Sequence, residues 1–281
     1  MMELKILGKI DLPDREKAHA NPEKYIDFLK NGLLHMEKGI NDKYGNILDK
    51  DGILTMEGED ANYHQEIINI KENAWAKENG LNLSTWKEKR EKNTASIAEM
   101  ATVVLLDKFF GDRFLVARAS VYDDYENGVD NVLLDKETGA VICGFDQVVA
   151  MNGADGSSKK EDKMRRILLK GGTKLEYGIA LDTDKKIKRE KLNHIPAFFL
   201  AINKGDLLSL LEELKDNKVS NGTKKVLKNI LLSVSDQYLS AQKLLDDNND
   251  DFRYQKLVNN LEKFKESFAV IKERIENLIL V

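Results

Sequence analysis

A chain of 281 residues, 42% hydrophobic and 33% charged, can bury a sizeable core without cross-links, and its single cysteine, Cys143, excludes an internal disulfide framework. No apolar run reaches the roughly 18 residues of a membrane span. The opening MMELKILGKIDLPDREK is too charged for a secretory leader, so the sequence reads as soluble and cytoplasmic, with no membrane partner.

Residues 1–93 read as a helical N-terminal region. Pro22 opens a helix whose apolar positions Tyr25, Ile26, Leu29, Leu33 and Leu34 fall at helical spacing, and a second helix is expected over about 62–78. DKDGIL at 49–54 begins like a calcium loop, but Gly52 comes too early and no twelfth-position Glu follows. It reads as a surface turn. Trp75 and Trp86 read as core packing rather than as stacking platforms.

Residues 94–203 form the expected α/β core. TASIAEMATVVLLDKFFG offers Thr94 or Ser96 as a cap, a nearly all-round apolar helix and Gly111 as its stop. Strands follow at 114–122, 129–134 and 140–149, the last two joined by the hairpin turn DKETG. A basic helix over about 157–170 ends at Gly171-Gly172, and LEYGIAL and IPAFFLAI supply further strands. The stretch NGADGSSKK lacks the second glycine of a phosphate-cradling loop. His19, His35, His64 and His194 show no metal-ligand spacing, and Cys143 reads as an inert core thiol.

Residues 204–281 carry two heptad seams. One runs Leu227, Leu231, Val234, Tyr238, Ala241, Leu245, the other Leu257, Leu261, Phe264, Phe268, Ile271, Ile275, Leu278. They predict an antiparallel helical hairpin. The alternative is an intermolecular coiled coil, in which residues 220–281 join a second copy or a protein partner.

Three acids stand out against this frame. Glu99 lies on the apolar stripe of its helix with Ala95, Val103, Leu106 and Phe110. Asp130 and Asp146 sit beside apolar strand runs, in GVD and GFD. With turn residues 135–139, Leu134 faces Ala140, Asp130 lies opposite Gly144, and Asp146 shares their face about 7 Å away. Two carboxylates at that separation repel by roughly 2–3 kcal/mol at an effective dielectric of about 20. A hard divalent cation relieves this, since Mg²⁺ commonly takes one or two carboxylates and completes its shell with water and phosphate oxygens. Gly144 is expected to leave it room. Asp123, Asp124 and Glu126 either add to the pocket or form the polar turn before GVD, and the turn is favoured.

The helix bearing Glu99, the hairpin bearing Asp130 and Asp146, then a basic helix and another strand, together resemble the PD-(D/E)XK nuclease superfamily over about residues 94–202. The resemblance implies a restriction-endonuclease-like core of helix, three strands, helix and strand. It also implies Mg²⁺ or Mn²⁺ held by Glu99, Asp130 and Asp146, and hydrolysis of DNA or RNA. Where the family carries a Lys two residues after the third-strand acid, this chain has Val148. By analogy with members that draw the amine from the following helix, Lys160 or Lys163 supplies it. Net charge swings from eight acids against one Lys over 121–155 to twelve bases against six acids over 156–191. Lys159, Arg165, Arg166 and Lys170, and the segment KKIKREK, are therefore expected to meet phosphates. A non-catalytic scaffold that keeps the fold and binds partners through its helical hairpin is the alternative.

Overall fold

The computed structural model describes residues 21–150, 162–163, 165–217, 219–246 and 254–280. The N-terminal segment starts where Pro22 predicts, with Asn21 accepting the Glu23 N–H and a 3₁₀ turn over Pro22–Tyr25. Helix α1 (Ile26–Tyr44) then buries Ile26, Leu29, Leu33, Met36 and Ile40, a stripe with the 3.6-residue period of an amphipathic helix. Helix α2 (Ala61–Glu78) matches the second expected helix. Helix α3 (Leu83–Glu91) has no buried residue, so its LSTWKEKRE carries no periodic signal to read.

Helix α4 (Thr94–Phe110) is capped by Asn93 rather than by Thr94 or Ser96; the Asn93 side chain accepts the Ser96 N–H at 2.7 Å. Apolar on nearly every side, α4 is wrapped by α1 and packs on a four-stranded sheet. That sheet runs β1 (Phe114–Arg118), β2 (Asn131–Asp135), β3 (Val141–Ala150) and β6 (Ala197–Asn203). The first three form an antiparallel meander, while β6 lies parallel to β3. A parallel neighbour demands a long crossover. Here the crossover includes a basic segment, helical at Asp162, Lys163 and 165–169, and a hairpin of β4 (Thr173–Leu181) and β5 (Ile187–Ile195). The start of the expected basic helix, with NGADGSSKK, lies outside the described residues.

Strand β1 ends at Arg118 instead of 122, because the chain bends into a π-helical turn over Asp123–Asn127 closed by Gly128 at φ 65°. The hairpin register also differs from expectation. Leu134 pairs with Val141 rather than Ala140, and a bulge then moves the ladder so that Leu133 meets Cys143 and Asn131 meets Phe145. The two one-residue slips cancel in parity. Asp130 and Asp146 keep a common face, and continuing the ladder one step past Asn131 sets them directly opposite.

Helices α5 (Lys204–Lys215), α6 (Asn221–Asp246) and α7 (Gln255–Leu280) complete the chain. A 26-residue helix is about 39 Å long. The chain between Asp246 and Gln255 spans at most about 32 Å, so packed α6 and α7 run antiparallel. Both seams are buried, save that Phe268 and Leu278 are half-buried. They face the chain's own core: Phe264 stacks near Phe198 and Tyr238, and Ser267 donates to Asp135 at 2.7 Å. Gln237 of α6 covers the free edge of β6, donating to the Phe199 carbonyl and accepting its N–H. Among the described residues no helix is long and apolar enough to cross a membrane.

Candidate functional site

Asp130 is placed by backbone before its side chain acts. Its N–H donates to the Phe145 carbonyl and its carbonyl accepts the Ala119 N–H, each at 2.8 Å, so the residue is pinned between the ends of β1 and β3. Its Oδ2 accepts the Gln147 N–H at 2.5 Å. Asp146, on β3, is buried and forms an ion pair with the Lys163 ammonium. That approach depends on Gly128. A Cβ there would stand 2.5 Å from Lys163 Nζ and 2.9 Å from Cε, and the positive φ disfavours any other residue.

The position where the resemblance expects a Lys has a physical account. Val148 and Ile167 both pack against Ala197 and Phe199 of β6, and Ile167 lies one helical turn beyond Lys163. The apolar cluster seats the basic segment beside β3 and β6, and the same segment delivers the amine to Asp146. Lys163, one of the two candidate lysines, reaches Asp146. Lys160, like Lys159, lies outside the described residues.

A cleft of about 210 Å³ opens between α3, α4 and the loop after β1. Glu99, Asp124 and Asp130 all line it. Glu99 pairs with Arg118 at 3.3 Å, and Asp124 with Arg90 at 2.8 Å. Burial raises the Glu99 carboxyl above its ordinary range, against the pull of Arg118, with Asp124 adding to the rise. Asp124 is raised in the same way, opposed by Arg90. Asp130 stands well above its ordinary range, first through burial and then through the negative charges of Glu99, Asp124 and Asp146. It is the point where the acids meet. The lining carries Lys30, Lys87, Arg90 and Arg118 against six acidic side chains, an excess of two negative charges.

The acids are not equivalent in position. Arg118, the partner of Glu99, pairs across the sheet with Asn131, whereas Asp146 points to the opposite face from its neighbour Phe145, which pairs with that same Asn131. Glu99 and Asp146 thus come from opposite faces. Asp130 precedes the first β2 residue and bridges them at the strand mouth. Gly144 plays a different part from the one expected: it pairs with Val132, and the space its missing Cβ leaves is taken by Val129, 2.8 Å away.

Asp123 and Asp124 are neighbours in sequence with opposite duties. Asp123 is fully buried and accepts from the Glu176 and Tyr177 N–H groups at 2.7 and 3.0 Å and from Ser120 and Asn127. It fixes the turn to β4. Asp124 enters the cleft, the less favoured of its two expected roles, while Arg90 and Arg118 were missed. The only signal was the density of acids in DDYENGVD.

The basic residues divide similarly. Arg165, Arg166 and Lys170 are exposed, and Arg166 Nε donates to the Asp162 carbonyl of its own helical turn. KKIKREK lies in the β4–β5 hairpin, and three of its bases find partners within the molecule, although Lys185 and Lys191 stay exposed. Lys185 donates to the Lys136 and Glu137 carbonyls, Arg189 meets Thr55 and Glu57, and Lys191 meets Asp60 and Glu176. Cys143 is fully buried, and burial pushes its thiol up. Trp75 and Trp86, expected in the core, are half-buried instead, with ring centroids 5.9 Å apart beside the cleft. DKDGIL is a turn, as expected, with Asp49 accepting the Asp51 and Ile53 N–H groups, and it docks on β1.

Among the described residues no group of three or more His, Cys, Asp or Glu side chains forms a ready-made metal cage. An all-oxygen set of one or two carboxylates remains the donor chemistry suited to Mg²⁺. No protein-family model, curated protein or solved structure matches the chain.

Proposed function

We propose that the protein is a metal-dependent nuclease that hydrolyses phosphodiester bonds at the cleft around Asp130. One observation carries the reading: Asp130 lies where Glu99, Asp124 and Asp146 converge, in a cleft whose lining holds two more acidic than basic side chains. Such a site admits a polyanion only with a cation present. The chain order gives independent support. Helix α4, the β1–β2–β3 meander, the basic segment and β6 parallel to β3 follow the order that the nuclease resemblance implies, with β4–β5 as an insertion.

Asp130 and Asp146, assisted by Glu99, are the residues that would hold Mg²⁺ or Mn²⁺. An ion held there would polarise a phosphate and lower the pKa of a bound water. The chain's own groups orient and neutralise. The Gln147 N–H fixes the Asp130 carboxylate, Arg118 and Arg90 hold Glu99 and Asp124, and Lys163 sets an ammonium against Asp146, where it meets charge developing on phosphate oxygens. The scaffold alternative drew on the heptad seams. Their burial in the chain's own core accounts for them without a partner.

The test is an incubation of the full chain with single- and double-stranded DNA and RNA, with Mg²⁺, with Mn²⁺ and with chelator. Metal-dependent cleavage that Asp130→Asn and Asp146→Asn each lower by at least about 100-fold is expected. Cleavage that persists in chelator, or in both variants, would sink the reading.

A further inference from the structure

We propose that the α3 wall of the cleft is a stacking subsite for one unpaired base, so that the substrate is single-stranded nucleic acid rather than intact duplex. The inference rests on the hydrolytic reading above. It begins from α3, a nine-residue helix in which nothing is buried and which nevertheless contributes Trp86, Lys87, Arg90 and Glu91 to the cleft. Core packing does not explain a tryptophan there. Trp86 is half-buried, one side against Trp75, whose ring meets Tyr125 edge-on at 4.9 Å. The Arg90 guanidinium lies 4.6 Å from the Tyr125 ring centroid and 5.7 Å from that of Trp86. An aromatic platform with a guanidinium on it, next to Lys30 and Lys87, is the chemistry that holds successive bases and backbone of a single strand without reading sequence.

Size decides against duplex. A cleft of about 210 Å³ falls below the roughly 300–1,000 Å³ of a ligand pocket, so it has room for one base at most. For a base to enter so small a cleft beside α3, a base-paired strand must extrude its nucleotide from the helix. The charge balance agrees, since each basic residue of the wall is paired with an acid, Lys30 with Glu91, Lys87 with Glu72 and Arg90 with Asp124. Stacking rather than net charge must therefore supply the hold.

The chain has two tryptophans, so Trp75→Phe leaves Trp86 as the only indole reporter. Titrate this protein in Ca²⁺ with a twelve-nucleotide thymidine strand and with the same strand in a duplex. Quenching of Trp86 emission by the single strand, with affinity at least tenfold above that for duplex, is expected. In the otherwise native chain, Trp86→Ala should weaken single-strand binding about tenfold or more, Trp86→Phe should retain most of it, and both should keep the native thermal midpoint within a few degrees. Equal affinity for the two forms, or equal losses in Trp86→Ala and Trp86→Phe, overturns the subsite. Cleavage assays on the same variants separate the two readings. Metal-dependent cleavage of duplex as fast as single strand, untouched by Trp86→Ala, removes the subsite and leaves the nuclease. Stacking without cleavage of any strand removes the nuclease and leaves the subsite.

Discussion

Asp130 illustrates how a carboxylate can be destabilising by position. Its proton is held above the ordinary value of 3.8 by burial and by three neighbouring acids, with the Gln147 N–H pulling the other way. Below the ordinary value, folded and unfolded chains are both protonated and the group contributes nothing. As pH rises, the unfolded chain ionises first, so the metal-free fold loses stability up to the folded pKa of Asp130. Asp130→Asn keeps an acceptor for the Gln147 N–H and removes the charge. In chelator at pH 7 it should be more stable than the native chain, the direction set by the raised carboxyl. The advantage should fade towards pH 4, as read by urea denaturation across pH, and Mg²⁺ should stabilise the native chain more than the variant. A native chain that gains stability with pH from 4 to 8 in chelator, relative to the variant, contradicts this.

Gly128 makes a second case at the same scale. Gly128→Ala combines a positive φ with a Cβ driven onto Lys163, whereas Gly80→Ala meets the same φ, 66°, with nothing within 4 Å. Both should lose about 1 kcal/mol of stability from the backbone alone. Only Gly128→Ala should also displace the amine and lower cleavage by tenfold or more. Equal activity in the two variants would show that Lys163 has no part in the reaction. The three acids themselves were legible in sequence because a carboxylate on an apolar row is costly and therefore conspicuous. Arg118 and Arg90 were not, because exposed and buried arginines look alike until a partner is known.

Among the elements, the hairpin shows why parity survives an error of register. Side chains alternate with a period of two, so a turn one residue longer and a bulge of one residue return Asp130 and Asp146 to the same face. No residue pattern along the hairpin announces the bulge. Helix α3 was invisible for the complementary reason, since a helix that buries nothing has no hydrophobic period. The π-helical turn over Asp123–Asn127 divides adjacent acids between fold and site. Asp123→Ala strands the Glu176 and Tyr177 N–H groups and should cost about 3–5 kcal/mol. Asp124→Asn should leave stability near or slightly above native while lowering metal-dependent cleavage. Denaturation midpoints and cleavage rates of the pair check this, and a stability loss shared equally by the two variants would deny the division.

At the scale of the whole molecule, the C-terminal helices decide whether the sheet is finished. Strand β6 would otherwise present Phe199 backbone groups at an open edge, and Gln237 of α6 takes both. From α7, Ser267 meets the buried Asp135, which Arg113 also holds at 2.8 Å, and Asn260 donates to the His194 carbonyl at 2.9 Å. The heptads were legible as helices, but a seam of period 3.5 does not say whether its partner is a second copy or the chain's own sheet. Here the seams are buried, while Leu232 and Leu239 lie outside them, exposed on α6. A chain ending at residue 217 should therefore fail to fold, giving aggregated protein without a cooperative transition. Leu232→Lys with Leu239→Lys should leave both the thermal midpoint and the sedimentation mass of the full chain unchanged across a hundredfold range of concentration. A soluble, cooperatively folding 1–217 fragment, or a mass that falls with dilution only in the native chain, would return the helical hairpin to the role of an intermolecular coil.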